Sequence, residues 1–147
     1  MVLNLLRKQK AIKMTDTQKK LFELALHTQK RSHAPYSNAF IGAAVLMKDG
    51  SFWGGCNIEN ASYGGTVCAE RVAIWKAVSE GAQGPIAEIL VVSSKPEAWP
   101  PCGFCRQVMA EFAEPQTLVH VSNPQGQIKT FKFADLLPEA FTPAYLA

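Results

Sequence analysis

Apolar residues at Leu21, Phe22, Ala25 and Leu26 recur at near-helical spacing inside QKKLFELALHTQKRSH, which predicts an amphipathic helix over about 16–32. Thr15 followed by Gln18 has the form of a capping box and marks its start. FIGAAVLM (40–47) reads as a buried strand, KDGS as a hairpin turn and FWGGCNI (52–58) as the antiparallel partner. NASYGGT is a loop. A second helix is predicted over about 67–80, with Val72, Trp75 and Val78 towards the core and Gly81 as its C-terminal cap.

AEILVVSS (87–94) is nearly continuous in apolar residues, the pattern of a strand buried on both faces. A third helix follows a pair of cysteines, over 103–112. TLVHVS (117–122) is another strand, NPQGQ a turn, and IKTFKF (128–133) a shorter alternating strand. ADLLP suggests a last helical turn before an irregular tail. The order helix–hairpin–helix–strand–helix–strand–strand predicts an α/β fold, a three-layer α/β/α sandwich around one mixed sheet of about five strands.

At 147 residues, 48% hydrophobic and 18% charged, the chain has enough apolar material for one domain with a real core. We read 15–147 as that domain and 1–14 as a basic, solvated extension. The net charge of +3 divides unevenly: residues 1–31 hold eight Lys/Arg against two acids, and the remainder holds seven against ten. The body is therefore mildly acidic, which argues against a polyanion groove and so against a nucleic-acid partner. No apolar run approaches the length of a membrane span, and the first residues lack a signal-peptide pattern. The expectation is a cytoplasmic protein with reduced thiols.

Reduced thiols give the four cysteines, 56, 68, 102 and 105, their interest. All four as small buried hydrophobes is the plain reading, and it suits Cys56 in mid-strand. Cys102 and Cys105 in WPPCGFC open a helix, where thiol pKa falls, so a thioredoxin-like thiol-disulfide oxidoreductase using that pair is a second reading. A metal site is the third, and it explains more residues. Cys68-Ala69-Glu70 followed by Pro101-Cys102-Gly103-Phe104-Cys105 has the form of the zinc deaminase signature, with Cys in place of the usual His. Three thiolates match a catalytic zinc with an open fourth position. A structural zinc ribbon would need a second Cys-x-x-Cys, and the sequence has none.

Joint order and spacing make the pattern more specific. APYSNAFIGAAV, GGCNIENASYGGTVCAERVAI, AVSEG, PPCGFCRQV and LLPEAF together resemble the small, free-nucleoside cytidine deaminases, over nearly all of residues 17–141. The resemblance implies one Zn2+ per subunit held by Cys68, Cys102 and Cys105. It implies Glu70 as the proton carrier in hydrolysis of cytidine or 2′-deoxycytidine to the uridine product and ammonia, a pyrimidine salvage reaction. Asn57 and Glu59 alternate along a strand end and so face one side; the resemblance has them bind ribose hydroxyls, with Ala61, Tyr63 and Ala69 completing the pocket. Arg71 is similar to the family's thiolate-facing arginine and gives electrostatic support, whereas Arg106 reads as structural. Phe141 resembles a residue contributed from a neighbouring subunit, in a homotetramer with shared active sites.

One position departs from the family. Where it usually has a phenylalanine stacking on the base, this chain has Ala39, with Phe40 next door. Neighbouring strand residues point to opposite faces, so Phe40 does not simply substitute. The departure keeps open a modified cytosine nucleoside or a nucleoside antibiotic as substrate, while the intact NIEN segment favours ordinary nucleosides.

Overall fold

The computed structural model describes residues 13–147, so most of the basic extension lies outside the described residues. Helix α1 (Asp16–Gln29) opens with the expected capping box: the Gln18 N–H donates to Thr15 Oγ1 at 3.1 Å and the Thr15 N–H to Gln18 Oε1 at 2.9 Å. It ends three residues earlier than the apolar spacing suggests, because Arg31 and Ser32 turn back to the carbonyls of Thr28 and Gln29. There follow β1 (Ile41–Met47), β2 (Phe52–Cys56), α2 (Ala69–Ser79), β3 (Ile86–Ser93), α3 (Gly103–Phe112), β4 (Ala113–Ser122), β5 (Ile128–Lys132) and α4 (Phe133–Leu136). Short 3-10 turns at Tyr63–Gly65 and Pro143–Tyr145 lie where the sequence reads as loop and tail.

The sheet order is β2-β1-β3-β4-β5, with β3 and β4 parallel and the other pairs antiparallel. A parallel pair needs a crossover, and α3 supplies it. Side chains alternate between the two faces. Ala44, Leu90 and Val92 pack with Leu21 and Ala25 of α1 on one side. Ala43, Val45, Ile89, Val91 and Val119 pack with α2 and α3 on the other. This is the expected α/β/α sandwich, and β3 is buried on both faces as its apolar run predicts.

Helix α2 differs from expectation in the face it buries. Trp75 and Val78 are 45% and 43% exposed, while Ala69, Ala73, Ile74 and Ala77 form the core side. The reason lies in β2. A Cβ on Gly55 would stand 2.5 Å from the Ala73 nitrogen and 2.7 Å from the Ala69 carbonyl oxygen. Only a stripe of alanines lets the helix backbone come that near, so the larger apolar residues turn outward. The helix closes as predicted on Gly81, whose φ of 83° suits glycine. The N–H groups of Gly81 and Ala82 donate to Val78 and Ala77 in a Schellman arrangement.

Candidate active site

The packing of α2 and α3 on one sheet face brings their N-termini together. Cys68 is the N-cap residue of α2 and Cys102 that of α3, both with extended backbone. Cys105 lies one turn into α3, where its N–H donates to Cys102 Sγ at 3.5 Å. The three sulfurs all lie within 4.8 Å of one another, and Cys68 and Cys102 are 3.8 Å apart. A tetrahedral ion with metal–sulfur bonds of ~2.3 Å sets sulfur–sulfur edges of about 3.8 Å. A disulfide would need ~2.05 Å. The cluster therefore has the spacing of a metal site, and Cys56 stands apart from it, its thiol pushed up by burial.

Charge at the cluster favours a cation. Cys68 is held down to about 5, chiefly by the hydrogen bond from the Cys105 thiol, with Arg71 and Cys102 adding to the effect. Cys105 moves the other way, because it gives that hydrogen bond to Cys68 and is buried near Glu70. Arg71 donates from Nη2 to Cys68 Sγ at 3.5 Å. Its Nε is buried without a partner among the described residues. A permanent cation kept in the core beside three sulfurs offsets the net −1 that three thiolates and a divalent ion would carry, and the two helix N-termini add to this. Arg106, by contrast, donates to the carbonyls of Pro101 and Leu136 at 2.8 Å each and ties the cysteine loop to α4.

Glu70, the second residue of α2, is 4% exposed. Burial, and then the negative Cys68, raise its carboxyl to about 7, against the pull of Arg71. A carboxyl poised near neutrality, lining the same cavity as two of the sulfurs, has the placement of a proton carrier. That cavity is about 370 Å³, the size of a small-molecule site.

Asn57 and Glu59 both line the cavity, as their alternation predicts. Asn57 is largely occupied within the protein: Oδ1 accepts from the Ile41 N–H at 2.9 Å and Nδ2 donates to the Ala39 carbonyl at 2.8 Å. Glu59 accepts from the Tyr36 and Ser37 N–H groups at 2.9 and 3.3 Å and from the Ser37 hydroxyl. These donors, the hydroxyl foremost, hold its carboxyl below the usual range. About four lone-pair directions minus three leaves one for a ligand hydroxyl. Tyr63 borders a smaller adjoining cavity with Tyr36, Glu59 and Thr66, its ring edge-on to Tyr36. Ala69 is fully buried under the cluster, and Ala61 lies outside both cavity linings. Phe141 is 56% exposed, stacked on Tyr145, and does not line the cavity of its own chain.

Ala39 lines the cavity and Phe40 does not, although both stand just before β1 begins at Ile41. Asn38, just before, takes a φ of 52°, a conformation Asn tolerates. The sequence reading did not single out Lys95, Trp99, Pro100, Thr66 or Val67, which also line the cavity. Their signal is position alone: each lies within seven residues before a clustered cysteine.

The model of the cytidine and deoxycytidylate deaminase zinc-binding region matches residues 15–121. A cytidine deaminase of Halalkalibacterium halodurans is 50% identical over 122 residues, which are 83% of this chain and 92% of that one. The crystal structure of the Burkholderia pseudomallei cytidine deaminase superposes with a TM-score of 0.80 at 43% identity, covering 87% of this chain and all of that one. The Mycobacterium tuberculosis cytidine deaminase gives 0.74 at 34% identity, over 87% and 98%. Zinc is the metal that the three-sulfur cluster fits, and the chain belongs to the cytidine and deoxycytidylate deaminase family.

Proposed function

We propose that this protein hydrolyses cytidine and 2′-deoxycytidine to uridine and 2′-deoxyuridine with release of ammonia, as a pyrimidine salvage enzyme. One observation carries the reading: a buried carboxyl, Glu70, lines a cavity of about 370 Å³ together with Cys68 and Cys102 of the three-sulfur cluster. Cys68, Cys102 and Cys105 would hold one Zn2+ per subunit. When bound, the ion supplies Lewis acidity that brings water towards a pKa of about 7.

The chain's own groups then handle protons and orientation. Glu70 takes a proton from the attacking water and delivers it to ring N3, and later carries one to the departing amine. Its nearly neutral pKa lets it hold and release that proton with little penalty either way. Arg71 keeps the sulfurs from overwhelming the site with negative charge. Glu59 accepts from a ribose hydroxyl, and Asn57 braces the Ala39–Ile41 wall while its remaining amide hydrogen meets the sugar. The family resemblance also assigns Tyr63, Ala61 and Ala69 to the pocket: Tyr63 borders the adjoining smaller cavity, and the other two line neither cavity.

We read residues 15–147 as one domain and the working enzyme as a homotetramer. Phe141 and the outward Trp75, Val78 and Phe104 are large apolar groups exposed on a single chain, and burying them between copies stabilises association. Phe141 would then reach the pocket of a neighbouring subunit. Among the described residues no helix is long and apolar enough to cross a membrane. Unpaired clustered thiols suit reducing surroundings, which favours the cytoplasm. The small Ala39 supports a second reading, a cytosine nucleoside with a larger base. A spectrophotometric assay over cytidine, deoxycytidine, cytosine and a bulkier analogue tests both, and turnover of none of them would defeat the deaminase reading.

A further inference from the structure

A pyrimidine ring in a protein pocket gains most from a flat apolar surface against one face. Among the residues lining the main cavity, one is aromatic: Trp99. It is 42% exposed and stands on the segment joining β3 to α3, three residues before Cys102. Pro100 follows it, also in the lining.

The neighbouring aromatic rings are spoken for. Phe40 is held with its back to the cavity, since its N–H donates to Ser94 Oγ at 3.1 Å and its carbonyl accepts from Gln29 Nε2 and the Ser94 N–H. These contacts clamp the backbone on both sides and prevent the one-residue slip that would bring its ring inward. Tyr36 and Tyr63 pack edge to face around the adjoining smaller cavity. Ala39 offers only a methyl.

The segment carrying Trp99 is tethered on either side of it, at Lys95 and Pro96 before and at Pro101, whose carbonyl accepts from Arg106 Nε, after. The Lys95 N–H donates to Ser93 Oγ at 3.0 Å, and the Pro96 carbonyl accepts from Asn123 Nδ2 at 2.8 Å. Lys95 Nζ donates to the Asn38 carbonyl at 3.1 Å, which joins this segment to the one bearing Ala39. A large aromatic and a small methyl thus border one pocket on tethered segments. We propose that Trp99 is the aromatic that each chain supplies to the base in its own pocket, beside whatever a neighbouring subunit adds, and that it sets how tightly, and how selectively, a pyrimidine ring is held. The inference rests on the deaminase reading for the identity of the ring.

The test uses the zinc-loaded enzyme. Trp99→Ala should raise KM for cytidine by roughly 5- to 100-fold, the range expected when a stacking partner is lost. Its kcat should stay within about twofold and its zinc content should not change, while Trp99→Phe restores most of the affinity. A second readout needs no turnover: uridine titrated into the wild type should quench tryptophan fluorescence. Trp99→Phe, which leaves Trp53 and Trp75, should abolish that response. An unchanged KM in Trp99→Ala, a loss of zinc with it, or equal quenching in Trp99→Phe would each overturn the proposal. A wild type that turns over no cytosine nucleoside defeats the deaminase reading instead, and the fluorescence titration still decides whether Trp99 meets a pyrimidine.

Discussion

The Arg71 guanidinium lies over the Phe104 ring, 4.2 Å from its centroid, while its Nη2 reaches Cys68 Sγ at 3.5 Å. One side chain on α2 thereby touches a ring from α3 and a sulfur from its own helix cap. A cation stacked on an aromatic face and aimed at a thiolate cannot be replaced by a neutral amide without loss. Arg71→Gln should therefore lower zinc affinity or turnover. Competition with a chromogenic chelator and a deamination assay check this, and unchanged values in both would refute the role.

Glu70 is the carboxyl whose removal should stop the chemistry while sparing the metal. Gln keeps the size of the side chain and removes its proton exchange. Loss of general acid–base help costs roughly 10²–10⁴-fold in rate. Glu70→Gln should keep about one zinc per chain, by elemental analysis, and lose kcat on that scale. Near-normal turnover in the zinc-loaded variant would remove Glu70 from the mechanism.

Much of this site was legible in the sequence because its chemistry is local. Cys68-Ala69-Glu70 and Pro101-Cys102 through Cys105 each sit in one helix cap, so spacing fixes the partners within each cap, and the deaminase signature joins the two. Glu59 and Asn57 came from the family resemblance, and strand alternation put them on one side. What was not legible depends on tertiary approach. The outward turn of Trp75 follows from Gly55 on another element, and helical periodicity carries no trace of that. Trp99 enters the cavity from an irregular segment with neither period nor cap. The occupation of Asn57 by Ala39 and Ile41 also needed the folded backbone.

The spacing of the sulfurs separates the zinc reading from the oxidoreductase one by a chemical test. Coordinated thiolates react slowly with thiol reagents, whereas a free low-pKa thiol reacts quickly. Ellman-type titration should find Cys68, Cys102 and Cys105 sluggish as purified and fast after chelation, with about one zinc released per chain. A zinc-free protein that cycles reversibly through a Cys102–Cys105 disulfide would favour thiol exchange instead.

Glu59 gives a prediction about selectivity rather than rate. Three of its acceptor directions are filled by Tyr36 and Ser37, so the carboxylate is aimed before substrate arrives. Removing it should weaken a substrate with a sugar and leave a free base nearly untouched. Glu59→Ala should bring the kcat/KM values of cytidine and cytosine closer together, largely through KM for cytidine. An unchanged ratio would show that the sugar is read elsewhere.

The last prediction joins the fold to the site. Gly55 lets α2 lie on the sheet with Ala73 N and Ala69 O where a Cβ would otherwise stand, 2.5 and 2.7 Å away. Both are backbone atoms of the helix that carries Glu70 and is capped by Cys68, so no side chain can swing aside. Gly55→Ala should push α2 outward and cost about 1–3 kcal/mol, the usual penalty for overfilling a packed interface. Because Ala69 follows Cys68 directly, that movement should also weaken metal retention. Gly64, in the 3-10 turn with nothing within 4 Å of a would-be Cβ, is the control. Gly64→Ala should stay within about 0.5 kcal/mol of the parent. Urea unfolding of the two variants, with zinc measured alongside, decides the matter: equal midpoints would mean that the sheet yields more readily than the close approach at Gly55 implies.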